Sequence, residues 1–538
     1  MPKPQTLRVS AAVIVAAGAL AFSTIPSVAA PTATAALPDG PALARNLVKK
    51  VTVSGINRHL IALQRIADRN GGNRASGNPG YGASVDYVQS HLAAAGFEVT
   101  REEFPFTFTQ TLAQTLKKGS TSIPITIMTY SPSTPVGGIT APVVGVPEDA
   151  TPGCEAADYA GLDVTGKIAV VSRGSCTFAV KNQVAADAGA VAVIVYNNAD
   201  GPVNGTLGDP AAGRVPTGGI TQADGRALAA AGGTVTVELR ALREDRTTWN
   251  LFAETTTGRK NNVVMAGAHL DSVTAGPGIN DNGTGSAALL ETALQLGGSP
   301  KVNNAVRFAW WGAEEFGLVG STHYVRSLSF EQQLDIALYL NFDMIGSPNA
   351  AHFVYDGDDS DAVGAGPGPY GSGQIEAAFV DFLETTGTPT EGSDFTGRSD
   401  YGEFIAQGIP AGGLFTGAEG IKTQAQADKW GGQAGVAYDP CYHLKCDNLG
   451  NVDRVALDRN ADAMAWVTAS YGISTEDING IPAKTNAKQL STAKAKQANA
   501  RVAQEKTMRV QMAQDDARIS AAAGNAGVGC IHANQDIA

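Results

Sequence analysis

The stretch "NAVRFAWWGAEEFG", residues 304–317, joins a nearly continuous apolar run to two adjacent carboxylates. Two similar apolar runs lie on either side of it, "NNVVMAGAHL" at 261–270 and "IALYLNFDMIG" at 336–346. Such runs are typical of strands that are buried on both faces of a sheet. Helical patterns such as "TGSAALLETALQLG" at 284–297 alternate with them, so the sequence predicts an α/β fold.

Each apolar run ends in residues that the core of a sheet would not contain. These are His269 and Asp271 after the first run, Glu314 and Glu315 after the second, and Asp343 after the third. Ligands of open α/β sheets bind at the carboxyl ends of the strands, so we expect these side chains to form one cluster. Asp281 in "GPGINDNGTG" and the pair Tyr442 and His443 in "DPCYHLKCDN" are candidates to join it.

The neighbouring carboxylates of Glu314 and Glu315 would repel each other beside a hydrophobic core unless a cation compensates them. Histidine nitrogens and carboxylate oxygens together form the ligand set of catalytic zinc, and two zinc ions can share one carboxylate. A single histidine or aspartate at a strand end is more often a solvated turn residue. The joint occurrence, in a chain with 7 histidines, favours a metal site.

The length of 538 residues predicts two domains, or one domain that carries an insertion. Residues from about 130 to 245 are rich in Val, Thr, Gly and Pro and contain short strand patterns, which indicates a separate, mostly β unit. The net charge of −12 argues against broad binding of nucleic acid. Residues from about 475 onward are helical by propensity but have little apolar surface, so we expect a peripheral helix or a removable extension.

The first residues carry positive charges at Lys3 and Arg8, an apolar run, and small residues before a cleavage position near Ala29. This pattern predicts a secretory signal peptide over residues 1–29. No later segment is long and apolar enough to span a bilayer, so we expect a secreted, extracellular protein without a membrane anchor.

Five cysteines in an oxidising compartment suggest two disulfides and one unpaired thiol. Sequence proximity favours the pairs Cys154–Cys176 and Cys441–Cys446 and leaves Cys530, although proximity alone does not fix the pairing.

Several long motifs together resemble one family, the secreted dinuclear-zinc aminopeptidases of the aminopeptidase Y type. The motifs are "AHLDSVTAGPGINDNGTG", "RFAWWGAEEFGLVGS", "LNFDMIGSPN", "GRSDYGEF", "GGLFTGAEGIKT" and "CYHLKCDN". The resemblance covers about residues 45–115 and 247–472. It implies a doubly wound mixed sheet flanked by helices and two zinc ions per chain. His269 and Asp343 would bind one zinc and Glu315 and His443 the other, with Asp281 as the bridge.

The resemblance also implies roles around the metals. Glu314 would be the general base, Tyr442 would donate a hydrogen bond to the oxyanion, and Asp271 would orient His269. Arg398 matches a position that contacts the substrate.

The segment "GSCTFAVKNQVAADAGAVAVIVYNN" at 174–198 resembles a protease-associated domain, a non-catalytic insertion. We therefore expect catalytic parts at 45–129 and 247–474, an inserted domain at 130–246 and a C-terminal extension at 475–538. Asp458 and Asp462 resemble a calcium-binding pair, for which a solvated helix face is the alternative interpretation.

These features predict a monomeric metallo-aminopeptidase that acts on peptides or proteins with a free N-terminus. A second hypothesis keeps the metals but changes the substrate, giving a zinc carboxypeptidase or deacylase in which Arg398 binds a carboxylate. A third hypothesis is a receptor-like binding protein that has lost catalysis. The presence of every expected ligand and of the base argues against the third.

Overall fold

The computed structural model describes residues 40–199, 201–209 and 211–502. The strands are β1 (Glu98–Lys118), β2 (Thr121–Ile123), β3 (Thr126–Ile127), β4 (Ile139–Gly145), β5 (Ile168–Ser172), β6 (Ala192–Tyr196), β7 (Thr217–Ile220), β8 (Thr234–Glu254), β9 (Arg259–His269), β10 (Asn304–Trp311), β11 (Ile336–Phe342), β12 (Phe353–Tyr355), β13 (Glu391–Ser393) and β14 (Ala411–Phe415). The α-helices are α1 (Ala42–Val48), α2 (Val53–Arg69), α3 (Pro79–Ala94), α4 (Phe178–Asp187), α5 (Gln222–Ala231), α6 (Gly285–Leu296), α7 (Val319–Ser327), α8 (Phe330–Asp335), α9 (Ser372–Thr385), α10 (Tyr401–Ala406), α11 (Gln424–Trp430), α12 (Arg454–Ile473) and α13 (Glu476–Asn479).

The central sheet has the strand order β13-β12-β14-β11-β9-β10-β8, with β1 paired to β8. Strands β10, β9, β11 and β14 are parallel to one another, whereas β8 and β12 run antiparallel to their neighbours β10 and β14. The three apolar runs of the sequence are β9, β10 and β11, in the middle of this sheet. The prediction of a doubly wound mixed sheet is therefore confirmed.

Alternating side chains of the central strands pack into separate hydrophobic clusters. Phe308 and Trp310 belong to the large cluster that includes residues of α1, α2, α3, α6, α9 and α12. Ala309 and Trp311 belong to a cluster that includes residues of α7 and α10. Because successive side chains of a strand point to opposite faces, the adjacent tryptophans are both fully buried, each beneath a different layer of helices.

Strands β1 and β8 form a long antiparallel ribbon. Their pairing extends from Glu98↔Glu254 to Lys117↔Thr236, with an irregularity between Thr111 and Ala113. The end of β8 pairs with β10 of the central sheet, and its beginning pairs with β4. The ribbon therefore leads from the central sheet into the inserted unit; the predicted boundaries at 130 and 246 stay a prediction.

The inserted unit contains the parallel strands β4, β5, β6 and β7, with β3 antiparallel to β7. Helix α4 lies between β5 and β6, and a second helix, α5, follows β7. The disulfide Cys154–Cys176 lies in this unit, so this predicted pairing is confirmed.

The chain continues beyond α13 into a helical segment at 487–502, where the described part ends. Arg501 in this segment is buried, and its Nη2 atom donates to the backbone oxygen of Ile336 at 3.5 Å. The predicted signal peptide, most of the predicted extension and Cys530 lie outside the described residues. Within the part of the chain that the structure describes, no helix combines the length and hydropathy needed to cross a membrane.

Candidate metal centre

The parallel strands bring the predicted ligands to one edge of the sheet. His269 is the last residue of β9, and Asp343 directly follows β11. After β10, Ala313 adopts a left-handed conformation with φ 56°, and a single 3₁₀ turn, Glu314–Phe316, follows. This turn places both glutamates beside the end of β9.

Asp281 lies between the two histidines. Its Oδ1 atom is 3.3 Å from Nε2 of His269, and its Oδ2 atom is 3.2 Å from Nε2 of His443. The Nε2 atom of His443 is also 3.0 Å from Oε2 of Glu315. One carboxylate thus faces two imidazoles through its two oxygens, which is the arrangement expected of a ligand shared by two metal ions.

The remaining predicted ligands complete the cluster on the His269 side. Nε2 of His269 lies 3.3 Å from Oδ1 of Asp343 and 3.9 Å from Oε2 of Glu314. Ligand atoms of His269, Asp281 and Glu315 lie within 4.8 Å of one another, as do those of His269, Glu314 and Asp343. The structure therefore brings together all five predicted metal ligands and the predicted base.

Two buried atoms of this cluster lack a hydrogen-bond partner among the described residues, namely Oε1 of Glu315 and Oδ1 of Asp343. A buried carboxylate oxygen without a donor is unfavourable unless another group satisfies it. A cation between these oxygens and the imidazole nitrogens would do so. The nitrogen and oxygen donor set also matches that of catalytic zinc, so the residues present fit the metal.

The pKa shifts of these side chains also support a cation site. Burial, followed by the negative charge of Asp281, raises the pKa of Glu315 to about 7. Burial also raises the pKa of Glu314 well above its usual value, and nearby carboxylates add to this. Burial lowers the pKa of His443, but Asp281 and Glu315 outweigh it and raise the pKa to about 10. The cluster concentrates buried negative charge and so favours positive charge within it.

Asp271 is fully buried behind His269. Its Oδ1 atom lies 3.7 Å from Nδ1 of His269, whereas its backbone oxygen lies closer, at 3.2 Å. The same Oδ1 atom accepts a hydrogen bond of 3.3 Å from the backbone N–H of Glu314. Asp271 thus contacts both a predicted metal ligand and the backbone of the predicted base.

The loop that carries His443 is closed by the disulfide Cys441–Cys446, which confirms the second predicted pairing. The ring of Tyr442 stacks on that of His443 with centroids 3.8 Å apart. Arg398 donates from Nη2 to the Tyr442 hydroxyl at 3.3 Å and from Nη1 to Oε1 of Glu419 at 2.8 Å. Tyr442, Arg398 and the metal-ligand candidates line one cavity of about 250 Å³.

Two further residues, which were not predicted from the sequence, form hydrogen bonds to the segments that carry the candidate ligands. Asp447 accepts hydrogen bonds from the backbone N–H groups of Asn280 and Asp281, at 2.8 and 3.0 Å. The hydroxyl of Ser399 donates to Oδ2 of Asp343 at 2.6 Å. Both residues lie inside the quoted motifs "CYHLKCDN" and "GRSDYGEF", which is the signal that could have identified them.

The predicted calcium pair lies apart from this cluster, on α12. Oδ1 of Asp458 accepts a hydrogen bond of 3.1 Å from the backbone N–H of Val53. Burial, followed by the negative charge of Asp458, raises the pKa of Asp462 to about 7. Calcium binding at this pair stays a prediction.

Comparison with known proteins identifies two regions of the chain. Residues 250–468 match Peptidase family M28, and residues 139–228 match the PA domain. The M28 region contains all of the candidate metal ligands. The PA region lies within the inserted unit, so the predicted protease-associated insertion is confirmed.

Individual relatives agree with these matches. The probable lipoprotein aminopeptidase LpqL of Mycobacterium tuberculosis is 45% identical over 482 residues, which cover 88% of this chain and 96% of that protein. The structure of an aminopeptidase from Aneurinibacillus sp. strain AM-1 is 30% identical, with a TM-score of 0.60 over 79% of this chain and 95% of that chain. A structure of BSAP, a zinc aminopeptidase from Bacillus subtilis, is 25% identical, with a TM-score of 0.56 over 84% of this chain and 98% of that chain. The chain described here therefore belongs to peptidase family M28.

Proposed function

We propose that this protein is a zinc-dependent aminopeptidase that hydrolyses the N-terminal residue from peptides and proteins. The observation that carries the proposal is the position of Asp281, which faces His269 with one oxygen and His443 with the other. A shared carboxylate between two imidazoles suits a pair of zinc ions, and related proteins are described as aminopeptidases.

In this proposal His269 and Asp343 would hold one zinc ion, Glu315 and His443 would hold the other, and Asp281 would be shared. When bound, the zinc ions would activate a water molecule and polarise the carbonyl of the first peptide bond. The hydrogen bonds from Ser399 to Asp343 and from the backbone of Asp281 to Asp447 keep the two aspartates oriented.

Glu314 accepts a proton from the attacking water and delivers it to the leaving amine. Its side chain is nearly buried and lies next to Glu315, with Oε2 3.9 Å from Nε2 of His269. The hydrogen bond from its backbone N–H to Asp271 fixes the turn that carries it.

Tyr442 stabilises the negative charge that develops on the carbonyl oxygen by donating a hydrogen bond to it. Its hydroxyl oxygen accepts a hydrogen bond from Arg398, so the hydroxyl proton is free for another acceptor. A donor aimed at an oxyanion in a site of low polarity stabilises the transition state.

The ion pair formed by Arg398 favours an aminopeptidase function over a carboxypeptidase function. A carboxypeptidase needs a cationic group that is free to bind the terminal carboxylate of its substrate. Here Nη1 of Arg398 forms an ion pair of 2.8 Å with Glu419, which lines the same cavity. The cavity wall thus offers a neutralised arginine and several carboxylates, which suit a substrate ammonium group better than a carboxylate.

A second cavity, of about 520 Å³, shares one lining residue with the first. Glu315 lines both cavities, and the second also contacts Tyr130 and Arg243 on the side of the inserted unit. We infer that the peptide chain beyond the cleaved bond passes through this cavity. Longer peptides would then contact the inserted unit, and small aminoacyl amides would not.

The decisive experiment combines zinc analysis of the purified protein with an assay of aminoacyl chromogenic amides and of an N-blocked peptide. We expect two zinc ions per chain, cleavage of the amides alone, and loss of activity with a chelator that zinc reverses. Cleavage of the blocked peptide alone would support a carboxypeptidase or deacylase. Absence of zinc, with no activity after zinc is added, would support a binding protein.

We also propose that the protein is secreted and monomeric. Two disulfides support an oxidising compartment outside the cytosol. Cell fractionation tests the location, because a protein anchored to the membrane, as the name of the mycobacterial relative suggests for that protein, would sediment with membranes. Size-exclusion chromatography with light scattering tests the oligomeric state.

A further inference from the structure

A second group of acidic side chains lies outside the metal centre, around the loop that follows β12. Carboxylate oxygens of Asp356, Asp358 and Glu376 lie within 4.8 Å of one another, and so do those of Asp356, Asp359 and Asp361. Asp356 belongs to both sets and is the first residue after the strand. The two sets therefore share one carboxylate.

Asp356 is buried, with only 4% of its surface exposed. Its Oδ1 atom accepts a hydrogen bond of 3.1 Å from the backbone N–H of Ser360, but its Oδ2 atom is buried and has no hydrogen-bond partner among the described residues. A buried, charged oxygen without a donor is unfavourable by itself. The environment of Oδ2 of Asp356 therefore indicates that a positively charged partner binds there.

The protein does not supply that partner. Across residues 40–199, 201–209 and 211–502, no lysine, arginine or histidine forms an ion pair with any of these five carboxylates. The carboxylate of Asp394 lies against the same loop, since a side chain at Gly364 would collide with it. Asp394 therefore adds a further negative charge. The loop thus gathers like charges that need an external cation.

We propose that this loop binds one calcium ion, with Asp356 as the central ligand and Asp358, Asp359, Asp361 and Glu376 around it. Every candidate ligand is an oxygen, which favours a hard cation over zinc. Calcium takes 6–8 oxygen ligands in flexible geometry, whereas magnesium requires a near-ideal octahedron and retains water. Ligands from an irregular loop and from helix α9, which carries Glu376, suit calcium better.

The calcium ion would stabilise one wall of the substrate cavity. The backbone N–H of Asp356 donates to the backbone oxygen of Ser393 at 2.9 Å. Ser393, Asp394 and Tyr355 line the cavity of the metal centre. The loop, its ion and the end of β13 would therefore form one ordered unit beside the substrate, without contact between the calcium ion and the zinc ligands.

The test uses the full-length, zinc-loaded protein, freed of calcium by passage over a chelating resin. Titration with calcium chloride is followed by calorimetry, and the melting temperature is measured with and without calcium. We expect calcium to bind with a Kd of about 10⁻⁴–10⁻³ M, as in extracellular modules. Saturation should raise the melting temperature by about 2–4 °C.

Two variants locate the site. Asp356→Asn and, as a milder change, Glu376→Gln should each lose one equivalent of calcium or weaken its binding at least about tenfold, and both should keep the zinc content of the parent. Asp428→Asn, at an exposed position on α11 and outside both this loop and the predicted calcium pair of α12, is the matched control and should retain this calcium equivalent. The proposal is overturned if both loop variants bind calcium as the parent does, or if the parent binds none. Because binding is measured directly, this result does not depend on the proposed peptidase activity.

Discussion

The Nε2 atom of His443 lies 3.2 Å from Oδ2 of Asp281, although the two residues belong to distant segments of the chain. The segment that supplies His443 also supplies Asp447, which accepts hydrogen bonds from the backbone of Asn280 and Asp281. The disulfide Cys441–Cys446 closes this segment. One short loop thus provides a candidate zinc ligand and positions the carboxylate that faces it.

The first prediction concerns this loop. Replacing both Cys441 and Cys446 with Ser should weaken zinc binding about 10–100-fold, the range seen when groups that position metal ligands are removed, because His443 is no longer held in place. Competition with a chromophoric chelator measures the affinity. The control replaces Cys154 and Cys176 with Ser in the inserted unit and should leave zinc affinity unchanged. Equal zinc affinities for the two double variants would contradict the prediction.

The second prediction concerns the general base. Glu314→Gln should lower kcat by about 10²–10⁴-fold, because the amide cannot accept the proton of the attacking water. Zinc content and melting temperature should stay near those of the parent, as the change preserves shape. Glu331→Gln, at an exposed position on α8, is the control and should retain full activity. A kcat within a few-fold of the parent would eliminate Glu314 as the base.

The third prediction concerns the oxyanion donor. Tyr442→Phe should reduce kcat about 10²-fold with a much smaller change in KM, because its hydroxyl acts mainly in the transition state. Tyr438→Phe is a matched control: Tyr438 lines the same cavity, but its hydroxyl donates to Gln426 at 2.6 Å. Steady-state kinetics on one aminoacyl amide compare the two variants. A loss confined to KM in the Tyr442 variant would indicate a role in substrate binding instead.

The fourth prediction concerns peptide length. Arg243→Ala should lower kcat/KM for peptides of several residues by about fivefold, because the second cavity loses a contact with the chain beyond the cleaved bond. Activity on a single aminoacyl amide should not change. Arg240→Ala, on the same strand but outside that cavity, is the control. A uniform loss on both substrate types would argue that Arg243 acts through stability and not through recognition.

The central strands could be predicted because their signal is local. Strands β9, β10 and β11 are buried on both faces, and their apolar runs differ from everything around them. Strand β1 was not recognised, because the sequence "EVTREEFPFTFTQTLAQTLKK" mixes charged and apolar residues and much of the strand is exposed. Its length depends on pairing with β8, a partner more than one hundred residues away, which no local pattern specifies.

In the candidate site, too, some residues could be predicted from the sequence and others could not. The candidate metal ligands and the candidate base could be named because they all lie within long, distinctive motifs, and most of them also lie at the ends of apolar strands. The roles of Ser399 and Asp447 depend on which segments fold against Asp343 and Asp281, and this is a property of the tertiary structure. The carboxylate cluster around Asp356 was missed because five acidic residues in a glycine-rich region are typical of a solvated loop.

The ribbon of β1 and β8 also determines how strongly the central sheet depends on the PA domain. Its strands stay in register from the central sheet outward, as in the pairs Phe104↔Thr248 and Phe106↔Arg246. A tight turn that joined the two strands near these pairs would leave a plain hairpin on an unchanged sheet. The central sheet therefore does not need the PA domain to complete its strand pairing.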